Sequence, residues 1–308
     1  MANMRNFIFT ISLISFIFIS GNLLIFAQSD TFTVLAVGGN ALSSKGGGTW
    51  KHLNAGEQLS NEFKIKIDKN SYAGIIGPNG RSIELTKPGT YESKFLKSLI
   101  AGGNPSSSKK FVNFVFSEIT KKMESASQMK VTGAVVRERI NDIPVGVPSP
   151  TYILDSVTVF SWYPVEGTGY YTFKLLNNEN KTVYLKRVQD TTISLNLYSL
   201  QLNEDCFKWV VINYDKPEQT SDTNLIYMLP ASNADVIRDS VENLNDVIGS
   251  NPTAINQIIL AAFYERNNIN INAMEAYKRA VKLAPKVKAY RARYNEYLKS
   301  KGLDRMIE

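Results

Sequence analysis

Hydrophobic and polar positions alternate at a period of two over much of the chain up to Pro230, which predicts short β-strands. The clearest stretch runs from Lys64 to Glu92, where alternating runs are separated by turn residues. Within it, Asn79-Gly80 predicts a β-hairpin with a type I′ turn, because both central residues of that turn need positive φ. From Asn233 onward the apolar spacing changes to the helical period. The predicted class is therefore mainly β with an α-helical C-terminus.

The pattern divides the chain into segments of different character. They are a signal peptide over 1–28, a β module plus helix over 29–140, a proline-rich linker over 141–150, a β-sandwich over 151–230 and helices over 231–308. The helix of the first module is predicted over 108–123, where apolar residues recur at every fourth position. The 308 residues are enough for two or three domains at about 100–200 residues each.

The first 28 residues predict export of the chain. Arg5 supplies positive charge, Phe7–Ile19 is a continuous apolar run, and the small residue Ala27 precedes the first polar residues. This order is typical of a secretory signal peptide, with cleavage after Ala27. The alternative is an uncleaved anchor, because about 20 apolar residues can span a bilayer. After signal removal we expect a periplasmic or extracellular protein without a membrane span.

The composition excludes several kinds of chemistry. The chain has one cysteine, Cys206, and one histidine, His52, so neither a thiolate zinc site nor an intramolecular disulfide is expected. A formal charge of +7 is mostly spread along the chain, and we expect no nucleic-acid partner. We predict no catalysis, no cofactor and no metal. The remaining enzymatic alternative is a hydrolase with paired carboxylates such as Asp239 and Glu242.

The first β segment has a recognisable order of motifs. A strand and a glycine turn precede a Leu-x-x-Gly-x-x-Leu motif over Leu53–Leu59, then paired strands flank Asn79-Gly80, and Lys-Pro-Gly-Thr-Tyr ends at Tyr91. This order resembles the periplasmic FecR-type β domain. The resemblance implies a β-rich signalling or scaffold module of the cell envelope.

The second β segment carries aromatic residues at alternating positions. Phe160-Ser-Trp162, Tyr171-x-Phe173 and Phe207-x-Trp209-x-Val211 together resemble a fibronectin type III domain. The resemblance implies that Trp162 and Trp209 lie in the core of a sandwich. It also places Phe207 where that family usually has a tyrosine that closes a corner through its hydroxyl group.

The C-terminal segment has small and aromatic residues at a repeat-like spacing. They are Leu260, Ala261, Tyr264, Ala273, Tyr277, Ala280 and Pro285. This spacing resembles a tetratricopeptide repeat, in which small residues let two helices approach closely. The resemblance implies a concave protein-binding face at Ile255, Ile258, Ala262 and Glu265. The alternative is a small helical bundle that packs on the sandwich.

Export combined with interaction modules predicts a cell-envelope scaffold or protein-interaction module that binds protein partners. Trp50, Tyr72 and Tyr91 could stack on sugars, so a glycan or cell-wall binding protein is the first alternative. A FecR-like envelope signalling component is the second.

Overall fold

The computed structural model describes residues 31–60, 62–101, 142–200, 202 and 204–307. The predicted signal peptide, its cleavage point after Ala27 and the helix predicted over 108–123 lie outside these residues. The described residues from Thr31 onward belong to one compact unit. Within them, strands in several mainly antiparallel sheets precede a group of C-terminal helices, so the structure is mixed, as the change of period at Asn233 predicts.

The N-terminal β region consists of two four-stranded antiparallel sheets that share one core. Its strands are β1 (Phe32–Gly38), β2 (Ala41–Lys45), β3 (Lys51–His52), β4 (Gln58–Leu59), β5 (Phe63–Ile67), β6 (Tyr72–Ile76), β7 (Ser82–Leu85) and β8 (Gly89–Glu92), and helix α1 (Ser93–Ile100) follows. One sheet has the order β4-β1-β6-β7 and the other β3-β2-β5-β8. Phe32, Ile65 and Leu96 are fully buried between the sheets and α1, because alternating apolar positions point inward.

Asn79-Gly80 lies in the β6–β7 hairpin, as predicted, but the type I′ turn is wrong. Ile76 pairs with Ser82, so residues 77–81 all belong to the loop. Gly80 has a φ of 89°, whereas Asn79 is not among the residues with positive φ. The Asn79 side chain instead donates to the carbonyl oxygen of Ile100 at 2.8 Å and ties the end of α1 to the hairpin.

The central β region also has two sheets around a shared core. Its strands are β9 (Thr151–Ile153), β10 (Val157–Ser161), β11 (Tyr171–Leu176), β12 (Thr182–Val188), β13 (Thr192–Asn196), β14 (Cys206–Asn213) and β15 (Asn224–Met228). One sheet pairs β10 with β13, and the other has the order β12-β11-β14-β15-β9, with β9 parallel to β15. Trp162 and Trp209 are buried on either side of Phe173, which confirms their predicted place in the core.

Residues 142–150, which the prolines predict as a linker, pack against the central sheets. Ile143 and Val147 are buried in the same core as Phe160. Val145 forms an antiparallel bridge with Trp162. The prolines interrupt regular pairing, since they donate no backbone hydrogen bond, while the apolar residues between them hold the segment in place.

The C-terminal helices are α2 (Ala231–Ile248), α3 (Ala254–Arg266), α4 (Asn270–Leu283) and α5 (Lys288–Ser300). Gly249 ends α2 with a φ of 96°, a left-handed conformation that glycine adopts readily. The Thr253 side chain accepts a hydrogen bond from the Asn256 N–H and caps the start of α3. Ala261 and Ala273 are fully buried in the core that α3 and α4 share, where their small side chains permit close packing. In the described ranges, no helix combines the length and the apolar character that crossing a bilayer requires.

Candidate functional site

The residues predicted to form a concave helical face are largely internal. Ile255 and Ile258 are fully buried, and Ala262 is half-buried. Leu35 and Tyr72 of the N-terminal β region share a hydrophobic core with them. The side chains of Ile255 and Ile258 therefore stabilise the contact between helices and sheets, and they are not available to a separate partner.

Polar groups join the N-terminal β region to the helices. Oε1 of Glu84 accepts hydrogen bonds from the Tyr72 hydroxyl at 2.7 Å and from the Ile255 N–H at 2.8 Å, at the start of α3. The hydroxyls of Tyr72 and Tyr290 lie 3.0 Å apart. Burial, together with the neighbouring Tyr290 and Glu84, raises the pKa of Tyr72, and burial raises the pKa of Tyr290. A carboxylate at a helix N-terminus is favourable, so Glu84 stabilises this junction.

Glu265, the fourth predicted face residue, belongs to a buried network. Its Oε2 accepts from Nη2 of Arg293 and from the Tyr277 hydroxyl, the latter at 2.7 Å. Arg293 is 2% exposed and also contacts Glu296 at 3.3 Å. Burial alone would lower the pKa of the Arg293 guanidinium, but Tyr277, Glu265 and Glu296 raise it above its ordinary value. This network holds α3, α4 and α5 together.

Hydrogen bonds also join the helical region to the central β region. The backbone N–H of Asn270 donates to Oγ1 of Thr151 at 2.9 Å, and the side-chain amide of Asn270 donates to the Pro150 carbonyl at 2.7 Å. The Tyr152 N–H donates to the Asn268 carbonyl at 2.9 Å. The helical region thus contacts both β regions.

The side chains that could carry chemistry are dispersed. His52 is exposed on β3, and Cys206 is half-buried on β14. Asp239 and Glu242 are exposed on α2. Among the described residues, no three His, Cys, Asp or Glu side chains come close enough together to hold a metal ion.

A cleft of about 450 Å³ lies between residues 142–149, the central sheets and the end of the chain. Asp142, Asp222 and Asp304 line it, together with Lys301 and Arg305. Asp239 and Glu242, the carboxylates predicted for a hydrolase, are not part of its lining.

The aromatic residues predicted to stack on a sugar do not form one surface. Trp50 is 40% exposed, but Tyr72 is 6% exposed and is held at the junction with the helices. Tyr91 is half-buried and donates to the Lys87 carbonyl at 2.8 Å. Of the three rings, only Trp50 is largely open to a ligand.

The most distinctive surface is the face of the five-stranded sheet that points away from the core, which we call the outer face. Cross-strand neighbours on it include Leu185, Lys174 and Val210 in one row and Arg187, Thr172 and Ile212 in the next, with Leu176, Lys208 and Leu225 in a third. Leu185 is 57% exposed. These rows combine aliphatic side chains with three cations and contain no carboxylate.

Arg187 is held at the edge of the outer face between two aromatic rings. Its guanidinium carbon lies 3.6 Å from the centroid of Tyr214 and 4.0 Å from that of Tyr170. The rings are 47% and 39% exposed, and a cation–π contact at such a site contributes about 0.5–1 kcal/mol. Lys208 donates to Oδ1 of Asn180 at 2.8 Å. Two of the three cations are thus positioned before any partner binds.

The sequence contained a signal for the outer face. Trp209-Val210-Val211-Ile212 is a continuous apolar run, and such a run is typical of a strand covered on both faces. In the structure, Trp209 and Val211 are fully buried while Val210 and Ile212 belong to the outer face. No model of a known protein family matches the chain, and no curated protein is significantly similar to it.

Proposed function

We propose that the chain is an exported cell-envelope scaffold whose outer face binds a protein partner that carries carboxylates. The observation behind this proposal is the three-row surface of aliphatic residues with Lys174, Arg187 and Lys208 and no acid among them. Apolar surface in a contiguous patch is typical of interaction sites. The cations favour a partner of complementary charge and would speed its association.

Three further proposals concern the modules that carry this surface. The pairing of β9 with β15 and the two sheets around Trp162 and Trp209 support a fibronectin type III-like sandwich. Close packing at Ala261 and Ala273 supports a tetratricopeptide-like helix pair. The two sheets of the N-terminal β region support the FecR-like module. Export to the periplasm or beyond rests on the order of charge, apolar run and small residue over 1–28.

Site-specific photo-crosslinking tests the proposed function. A photoreactive residue replaces Leu185 on the outer face, or Thr192 as a matched exposed control on β13. In cells of the source organism, position 185 should give a discrete protein adduct that position 192 does not give. Arg187→Glu should remove that adduct, because it reverses a charge within the face. Identical adducts at both positions, or no adduct at 185, would contradict the proposal.

Glycan binding is the second candidate, because exposed aromatic rings at Trp50, Tyr170 and Tyr214 could stack on sugars. Co-sedimentation of the protein with purified cell-wall polymer tests it, with Trp50→Ala and Tyr214→Ala as variants. Retention that both variants leave unchanged would argue against aromatic stacking. The FecR-like signalling alternative is supported by the resemblance of the N-terminal β region alone.

A further inference from the structure

Over part of its length, strand β10 has one edge that pairs with no other described strand. Its opposite edge pairs with β13 in antiparallel register. The backbone N–H of Trp162 donates to the carbonyl oxygen of Thr191, the residue just before β13. Because backbone groups alternate in direction along a strand, the N–H and C=O groups of Val157 and Val159 point away from β13. Both residues are about half exposed, at 54% and 49%.

The chain itself begins a neighbouring strand on this edge and then leaves it. The Gly146 N–H donates to the Ser161 carbonyl at 2.9 Å, and the Tyr163 N–H donates to the Pro144 carbonyl at 2.8 Å. After Gly146 the chain turns inward, and Val147 is buried in the central core. A groove therefore lies beside Val159 and Val157, at the position that a continued strand would occupy.

That groove has a volume of about 400 Å³ and is bounded on its other side by α4. Ile271 and Met274 supply apolar surface on the helix, and Asn272 donates to Oδ2 of Asp155 at 2.8 Å at one end. Asp155 and Glu275 both line the groove, which has no cationic side chain in its lining. Strand edge, apolar helix surface and negative charge thus meet in one place.

We propose that this groove binds an extended, lysine- or arginine-bearing peptide segment of a partner protein as an added antiparallel strand on β10. Backbone hydrogen bonds to Val157 and Val159 would give affinity, as in other cases of strand addition to a sheet edge. Apolar side chains of the peptide would contact Ile271 and Met274, and its cations would face Asp155 and Glu275. The groove and the outer face are different surfaces, so failure of one proposal leaves the other standing.

A single peptide strand fits this groove better than a second copy of the chain. Helix α4 lies across from the edge, so a folded sheet cannot approach Val157 and Val159 side by side without displacing the helix. A single extended strand needs only the width of one interstrand spacing, about 4.8 Å. The negative lining also disfavours another β10 edge, which would bring its own Asp155.

Selection from a random displayed peptide library, followed by amide hydrogen exchange, tests the proposal. The bait is the chain from Gln28 onward, which contains every described residue. Selected peptides should be enriched in β-branched residues and in Lys or Arg. When such a peptide is synthesised and added, exchange at the Val157 and Val159 amides should slow by about tenfold or more, because those N–H groups become hydrogen-bonded.

Matched variants separate strand addition from other binding. Val159→Pro removes the N–H that faces the groove but none that faces β13, so peptide affinity should fall by about tenfold or more, whereas Val159→Thr should retain it. Glu275→Lys should weaken binding, and Glu242→Lys on α2 should not. The exchange measurement on the unaltered chain remains decisive if Val159→Pro fails to fold.

Three results would overturn the proposal. One is selection of peptides that leave exchange at Val157 and Val159 unchanged. Another is equal loss of binding in Glu275→Lys and Glu242→Lys. The third is concentration-dependent self-association that Val159→Pro abolishes, since a second copy would then be the occupant.

Discussion

Replacing Arg293 with methionine should destabilise the helical region strongly. The substitution keeps much of the aliphatic volume beside Tyr277, whose ring centroid is 5.0 Å from the guanidinium carbon, but it removes the charge. Glu265 would then keep its charge near the core without its guanidinium partner. Breaking a buried ion pair from one side costs about 3–5 kcal/mol. The Glu265 side chain is 17% exposed, so we expect about 3 kcal/mol, the lower end of that range.

Urea unfolding followed by the helical circular-dichroism signal measures this loss. Glu265→Gln and the double variant complete a mutant cycle, and the double variant should lose less stability than the two single losses added together. Lys64→Met provides a control, because its ion pair with Glu92 is exposed and should contribute little. If Arg293→Met costs less than about 1 kcal/mol, water or a rearranged side chain satisfies Glu265, and the assignment of the pair as buried would be refuted.

Three further predictions concern the junction of sheets and helices. Glu84→Ala removes the acceptor of two hydrogen bonds and should cost about 2 kcal/mol in urea unfolding, whereas removal of the exposed Glu92 should change nothing measurable. Gly74→Ala places a Cβ 3.1 Å from the Tyr290 hydroxyl and should lower the melting temperature, but Gly169→Ala enters open space and should not. Burial raises the folded-state pKa of tyrosines such as Tyr290, so above pH about 10 these hydroxyls ionise in the unfolded chain but not in the folded one. The free energy of unfolding should therefore be unaffected below pH about 10 and should fall at higher pH by about 1.4 kcal/mol per pH unit for each such group. Tyr290→Phe should reduce that slope in alkaline titrations; an unchanged slope would mean that the buried Tyr290 hydroxyl does not cause the loss of stability.

The strands of the central β region could be predicted because alternation and turn residues agree. The alternating Tyr171-x-Phe173, for example, lies in β11. Strand β9 could not be predicted, since three residues beside Pro150 form a strand only because β15 lies alongside them. The hairpin at Asn79 was predicted from local φ preference, which carries no information about the hydrogen bond that the Asn79 side chain makes to Ile100.

Which surfaces are open to a partner depends on tertiary packing, and the spacing of residues in the sequence does not show that packing. Ile255 and Ile258 fit the pattern of an open helical face, yet the N-terminal β region covers them through contacts more than 170 residues apart in sequence, such as that of Glu84 with Ile255. Nor does the sequence show that part of the β10 edge pairs with no strand among the described residues. This arises because β9 pairs with β15 in the other sheet.

The position of the helices between two β regions has a consequence for cooperativity. Ile255 is hydrogen-bonded to one β region, while Asn268 and Asn270 are bonded to the other through the chain around Thr151. Unfolding of α3 or α4 would remove hydrogen-bond partners from both β regions at the same time. The three parts should therefore melt in a single transition, and replacing the helical part with a foreign module would require two sets of contacts to be rebuilt.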